Sequence, residues 1–124
     1  MITGIGVDLV QIQRMERWGE QRGLLERFFH PLELAAALSR KSAVHQALAS
    51  RFAAKEAFGK ALGTGLAGIE LKDIMVVNHR NGQPGLQVFN TALQALGKNG
   101  ATRVHLSLAH EKDNAVAMVV LEEV

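Results

Sequence analysis

Cysteine is absent from the 124 residues. Its absence excludes a disulfide framework, a thiolate metal site and a cysteine nucleophile. Tyrosine is also missing, and five Phe with one Trp are few rings on which to stack bases, which weakens a nucleic-acid role. The longest strongly apolar run, Ala115 to Leu121, falls far short of a bilayer span. The opening MITGIGVDLV has no basic stretch ahead of an apolar one, so no secretory signal is expected and the cytoplasm is the default compartment. Neither sign of charge dominates: 14 Lys and Arg against 12 Asp and Glu leave a formal +2. What remains, 48% hydrophobic and 21% charged residues in one domain's length of chain, suits a single globular domain over 1–124.

Local pattern places the elements. Residues 2–9 alternate as a strand, with Ile5, Val7 and Leu9 on one face and Gly4, Gly6 and Asp8 on the other. Residues 10–22 have helical character, with Gln11, Arg14, Arg17, Trp18 and Gln21 on a polar arc. Leu32 to Leu38 reads as a short helix with Pro31 in its first turn. Residues 44–62 should form the longest helix, stopped by Gly63-Thr64-Gly65. Ile69 to His79 and Leu86 to Phe89 read as strands around an Asn81-Gly82 turn. Asn90 is placed to cap a helix through Leu96, ended by Gly97 and Gly100. Arg103 to Ala109 and Ala115 to Leu121 read as a hairpin. Mixed helices and antiparallel strands make the class α+β.

Several residues suit chemistry. Asp8 follows Gly4 and Gly6 on a face with little side-chain bulk, where something can approach the backbone. Taken alone, the pattern favours an aspartate capping the next helix. In the stretch Arg51 to Lys60, Glu56 and Lys60 lie four apart, an ordinary helix-stabilising pair, and Arg51 and Lys55 lie four apart on an adjoining arc. Ala53, Ala54, Ala57, Gly59 and Ala61 leave room beside them, and the Gly63-Thr64-Gly65 turn offers backbone N–H groups to a phosphate. His105-Leu-Ser107-Leu-Ala-His110 lacks the surroundings of a hydrolase serine, so the motif reads as a structural Ser107 with a ligand-binding His. His30, His45 and His79 read as surface residues. Two carboxylates on separate elements, with cations nearby and no Cys or clustered His, suit a hard cation such as Mg²⁺ and a nucleotide-like diphosphate.

The run Gly4-Ile-Gly6-Val-Asp8, then Arg51-Phe-Ala-Ala-Lys55-Glu56-Ala-x-x-Lys60-Ala-x-Gly63-Thr64-Gly65, then Asn81-Gly82-Gln-Pro84, then His105-Leu-Ser107-Leu-Ala-His110 resembles the holo-[acyl-carrier-protein] synthases, the small bacterial type of 4′-phosphopantetheinyl transferase. The resemblance runs essentially end to end. It implies antiparallel strands on a long central helix, and a homotrimer with an active site at each subunit interface. It also implies Mg²⁺-dependent transfer of phosphopantetheine from coenzyme A to a serine of an acidic apo acyl carrier protein, releasing adenosine 3′,5′-bisphosphate. The family's metal acids fall on Asp8 and Glu56. Its basic contacts to the coenzyme fall on Arg51 and Lys60, joined by His110. The glycines Gly63, Gly65 and Gly82, with Pro84, are counted with the coenzyme site. Glu56, Lys60 and His110 are the catalytic candidates, and the general base stays open among Glu56, a water, His110 and the carrier. The family arginine at Arg14 meets the carrier, and Arg17 and Trp18 extend that arc into a docking surface. Asn114 stands where many relatives carry an aromatic residue.

Two other readings compete. The basic stretch 34–60 allows a nucleic-acid-binding module, whose binding would fall steeply with salt, but that leaves Asp8 and Glu56 without a role. A coenzyme A binding protein without catalysis would bind the ligand and modify no carrier. No nucleic acid and no membrane are expected as partners.

Overall fold

The computed structural model describes residues 1–21 and 23–124. Its elements run β1 (Ile2–Gln11), α1 (Gln13–Gly19), α2 (Leu24–Phe28), α3 (Pro31–Leu38), α4 (Val44–Leu62), β2 (Ile74–Asn78), β3 (Pro84–Val88), α5 (Asn90–Asn99), β4 (Arg103–His110) and β5 (Asn114–Glu122). Single 3-10 turns precede α4 at Lys41–Ala43 and β2 at Leu71–Asp73. The strands form an antiparallel sheet in the order β1-β5-β4 and a separate β2-β3 hairpin. The α+β class therefore holds, with α4 packed across β1 and β5.

The long helix forms because its residues are mostly strong helix formers. Its small side chains let the sheet come close: Ala53, Ala54 and Ala57 are fully buried. β1 meets it glycine side inward. A Cβ at Gly6 would lie 2.6 Å from the Ala61 nitrogen, and one at Gly4 would lie 2.9 Å from the Ala61 carbonyl carbon. The open space beside Asp8 is thus filled by α4 itself. The consequence is unusual for a strand: its apolar side faces out, with Ile5, Val7 and Leu9 each more than half exposed.

Several boundaries differ from the sequence pattern. β1 continues to Gln11 because it pairs with β5 along that whole length, Gln11 opposite Asn114. The first helix is accordingly shorter, Gln13–Gly19, and residue 22 lies outside the described residues. Much of the 69–79 segment is a loop and a 3-10 turn, leaving Ile74–Asn78 as strand. Asn90 does not cap α5. It sits at a φ of 39°, and the buried Asp73 carboxylate caps the helix by accepting the Thr91 N–H at 3.1 Å. α5 also runs through Gly97, exposed with nothing near it, and ends at Gly100 in the left-handed region. His30 is not simply a surface residue: its ring accepts the Leu32 N–H at 3.1 Å and caps α3.

Candidate active site

β1 and α4 bring Asp8, Glu56 and Lys60 to one place. Asp8 does not cap α1, whose N-terminal residue Ile12 makes no side-chain cap. Its carboxylate instead accepts a hydrogen bond from Lys60 Nζ at 2.9 Å. The Glu56–Lys60 pair suggested by their spacing gives way to this longer-range contact across the helix–strand seam. Asp8 keeps only 16% of its side chain exposed, while Lys60 is open at 55%.

Glu56 registers the crowding. Its carboxyl is pushed above the usual glutamate range, first by partial burial and then by the neighbouring Asp8 charge. Lys60 and Arg14 pull it back. A second carboxylate close enough to disfavour ionisation of Glu56, with Lys60 and Arg14 only partly offsetting it, makes a paired-acid donor set. That set fits a hard divalent cation held by two carboxylates plus ligand oxygens. Among the described residues no group of three or more His, Asp or Glu gathers as a self-sufficient metal cage. Asp8 and Glu56 would therefore need ligand oxygens to complete the shell.

Arg51 and His110 are placed elsewhere. Arg51 precedes Glu56 by five positions, which turns it about 140° around the helix. It is buried, donates to the Ala47 carbonyl at 3.1 Å, and leaves its Nε buried without a partner. Burial holds the guanidinium below its ordinary pKa. With His110 it lines a cleft whose other walls include Arg40, Gln46, Val76 and Asn78. Gln46 touches the His110 ring through its amide. Arg40 is marked in the sequence only as one cation of the basic stretch 34–60, and Gln46 is not marked at all. Only the packing of α4 against β2 and β4 sets both, with Arg51, beside His110, Val76 and Asn78.

The glycine turn departs from expectation. The N–H of Gly63 donates to the Lys60 carbonyl and that of Gly65 to the Gly59 carbonyl, both at 3.0 Å. These donors close α4 in a Schellman-like end and do not face a phosphate. Gly82, at a φ of 83°, forms the tip of the β2-β3 hairpin, and Pro84 starts β3 opposite Asn78. Neither touches the Arg51 cleft, to which the hairpin contributes through Val76 and Asn78. Lys55, on the arc with Arg51, is wholly buried and paired with Glu33. His105 pairs with Glu122 at 2.9 Å on the outer sheet face, so it is not the base of a Ser107 dyad.

On α1, Arg14 lies 5.3 Å over the Trp18 ring and 5.6 Å from that of Phe52. Trp18 is half-buried and meets Phe52 edge-on at 4.8 Å, with Phe28 alongside. Its ring therefore anchors the arginine as well as facing outward, while Arg17 stands exposed. No helix among the described residues is long and apolar enough to cross a membrane.

The chain is similar in sequence and fold to known proteins. Residues 4–119 match the 4′-phosphopantetheinyl transferase superfamily. A holo-[acyl-carrier-protein] synthase of Treponema denticola is 57% identical over 122 residues, covering 98% of this chain and 99% of that protein. The crystal structure of holo-[acyl-carrier-protein] synthase from Neisseria meningitidis superposes with a TM-score of 0.89 at 34% identity, covering 99% of this chain and 100% of that one. A Bacillus anthracis holo-(acyl-carrier-protein) synthase in complex with CoA (3′,5′-ADP) superposes with a TM-score of 0.84 at 37% identity, covering 100% of this chain and 99% of that one.

Proposed function

Because the chain belongs to the 4′-phosphopantetheinyl transferase superfamily, we propose that it moves the 4′-phosphopantetheine arm of coenzyme A onto a serine of an apo acyl carrier protein and releases adenosine 3′,5′-bisphosphate. The observation that carries this reading is the meeting of Asp8 and Glu56, 48 positions apart in sequence, beside Lys60.

Asp8 and Glu56 would hold Mg²⁺ together with diphosphate oxygens. When bound, the ion supplies neutralising charge at the phosphorus under attack. The rest of the chemistry belongs to side chains. The carrier serine oxygen forms the new bond to phosphorus as the bond to the bridging diphosphate oxygen breaks. Glu56, whose proton affinity is raised, takes the serine proton directly or through a water. Lys60, exposed at the mouth of the site, faces the charge that gathers on the departing bisphosphate. Arg51 and His110 would grip phosphates at the far end of the coenzyme.

One chain presents these groups on different sides of α4, so a single coenzyme would have to be shared between copies. The outer face of the sheet supports a homotrimer. Ile5, Val7 and Leu9, with Met118 opposite Val7, form an exposed apolar surface on an otherwise ordinary domain. Covering it with neighbouring copies would bring one copy's Asp8 and Glu56 to another's Arg51 and His110. Arg14, Arg17 and Trp18 are the proposed landing surface for the acidic carrier.

The test is direct. Coenzyme A, Mg²⁺, apo-carrier and the chain are mixed, and the carrier is weighed by mass spectrometry. A gain of one phosphopantetheine is expected, and Asp8→Ala should abolish it without altering the circular dichroism. A folded chain that modifies no carrier, or an Asp8→Ala variant of full activity, removes the reading.

A further inference from the structure

Lys55 is the one charged residue of α4 that the proposed chemistry leaves unused, and it is fully buried. Its ammonium donates to the Glu33 carboxylate, to the Leu71 carbonyl at 3.0 Å and to the Ile74 carbonyl. Those three acceptors saturate its three donors, so it has no proton to offer a substrate and no path to one. Glu33 is equally occupied. The oxygen that takes Lys55 also accepts the His30 N–H at 2.9 Å, and the other accepts the Val76 N–H at 3.0 Å. One buried point therefore ties together α3, α4, the 3-10 turn and β2.

The location is specific. Arg51 lies one helical turn before Lys55 on the same arc, and Val76 belongs to the opposite wall of the cleft that Arg51 and His110 line. Two charges this deep in the interior lose their hydration, a cost that their attraction roughly offsets, so net stability is a weak account of the pair. What the pair supplies is a fixed spacing between the two walls. We infer that Lys55 and Glu33 are positioning residues for coenzyme binding: they set the separation of α4 from β2, and with it the fit of the cleft around the coenzyme's phosphates. This rests on the transferase reading above.

The experiment replaces both charges with apolar residues of similar size, Lys55→Met together with Glu33→Leu, in the full chain. Removing one partner alone would strand a buried charge, whereas the paired replacement strands none and lowers the melt only through the Leu71 and Ile74 carbonyls and the His30 and Val76 N–H groups it leaves unpaired. The expected result is a retained cooperative melt and a KM for coenzyme A raised about tenfold, less than the ~10²-fold cost of misplacing a group by about 1 Å. The KM for the carrier and kcat should stay within about threefold, since Asp8, Glu56 and Lys60 are untouched. An unchanged coenzyme KM overturns the inference. So do equal changes in both KM values, and so does loss of the melt, which would make the pair a support of the whole fold. If the wild-type chain transfers nothing, the transferase reading fails by itself. Calorimetric titration of coenzyme A into both proteins then still decides whether the pair shapes the cleft.

Discussion

Gly6 holds the strand that carries Asp8 against the helix that carries Glu56 and Lys60, and replacing it with alanine probes that seam. The added methyl would run into the Ala57 carbonyl oxygen and lie 2.6 Å from the Ala61 nitrogen. Both obstacles are helix backbone, which no rotamer change can move aside. Restoring ordinary contact near 3.5 Å at the carbonyl oxygen as well as the nitrogen requires β1 and α4 to part by at least about 1 Å. Overpacking of this kind costs up to about 3 kcal/mol, and against rigid backbone the upper figure applies. For a domain of this size that lowers Tm by roughly 10 °C. The same displacement stretches the Lys60–Asp8 contact from 2.9 Å toward about 4 Å, and errors of that size cost around a hundredfold in rate. The assay pairs a thermal melt by circular dichroism with initial rates of carrier modification. Gly97→Ala is the internal control. That glycine lies inside α5 with nothing within 4 Å of an added Cβ, so alanine there should stabilise by about 0.5–1 kcal/mol and leave the rate alone. A Gly6→Ala protein melting within a few degrees of wild type at near-normal rate would refute the close-approach argument.

How far the sequence reaches depends on whether the forces are local. The long helix was legible to the residue, because Val44 to Leu62 is a run of helix formers and Gly63 has the left-handed conformation that ends it. The β4-β5 hairpin and the turn at Gly82 were legible for the same reason. The ends of β1 and the cap of α5 were not. β1 gains two residues through its pairing with β5, and α5 takes its cap from Asp73, 18 positions before Thr91. Propensity has no access to such partners.

The site divides along the same line. Residue type and spacing marked Asp8, Glu56 and Lys60, but spacing alone pairs Glu56 with Lys60, and the folded chain joins Lys60 to Asp8. The glycines of the Gly63–Gly65 turn look like a phosphate cradle in sequence, yet their N–H groups complete the helix end. Lys55 and Arg51 share an arc on paper. In the fold, one is sealed against Glu33 and the other lines a cleft, a difference set by whether α3 or β4 covers that turn of helix. Arg40 carries only the general signal of a basic stretch and Gln46 none, and each gains a specific place only beside His110.

Two further predictions follow from exposure and charge. Val7→Arg places a cation in the middle of the exposed apolar face, so a chain that elutes as a trimer by size-exclusion chromatography with light scattering should become a monomer and lose transfer, while a monomeric wild type would remove the shared-site argument. Glu56→Gln should separate activity from stability. Burial and Asp8 raise the folded Glu56 pKa above its ordinary 4.5, so the folded state holds that proton more tightly than the unfolded chain does. The stability this contributes is present below the ordinary value and is lost as pH rises through the raised one. Glutamine cannot ionise, so the variant should keep at neutral pH what wild type has lost and show a flatter dependence of Tm on pH across that window. Its transfer rate should fall by about a hundredfold or more, because the proton acceptor and one candidate metal oxygen go together. A variant with the wild-type pH slope would show that Glu56 is not the strained acid of the site, whatever its rate.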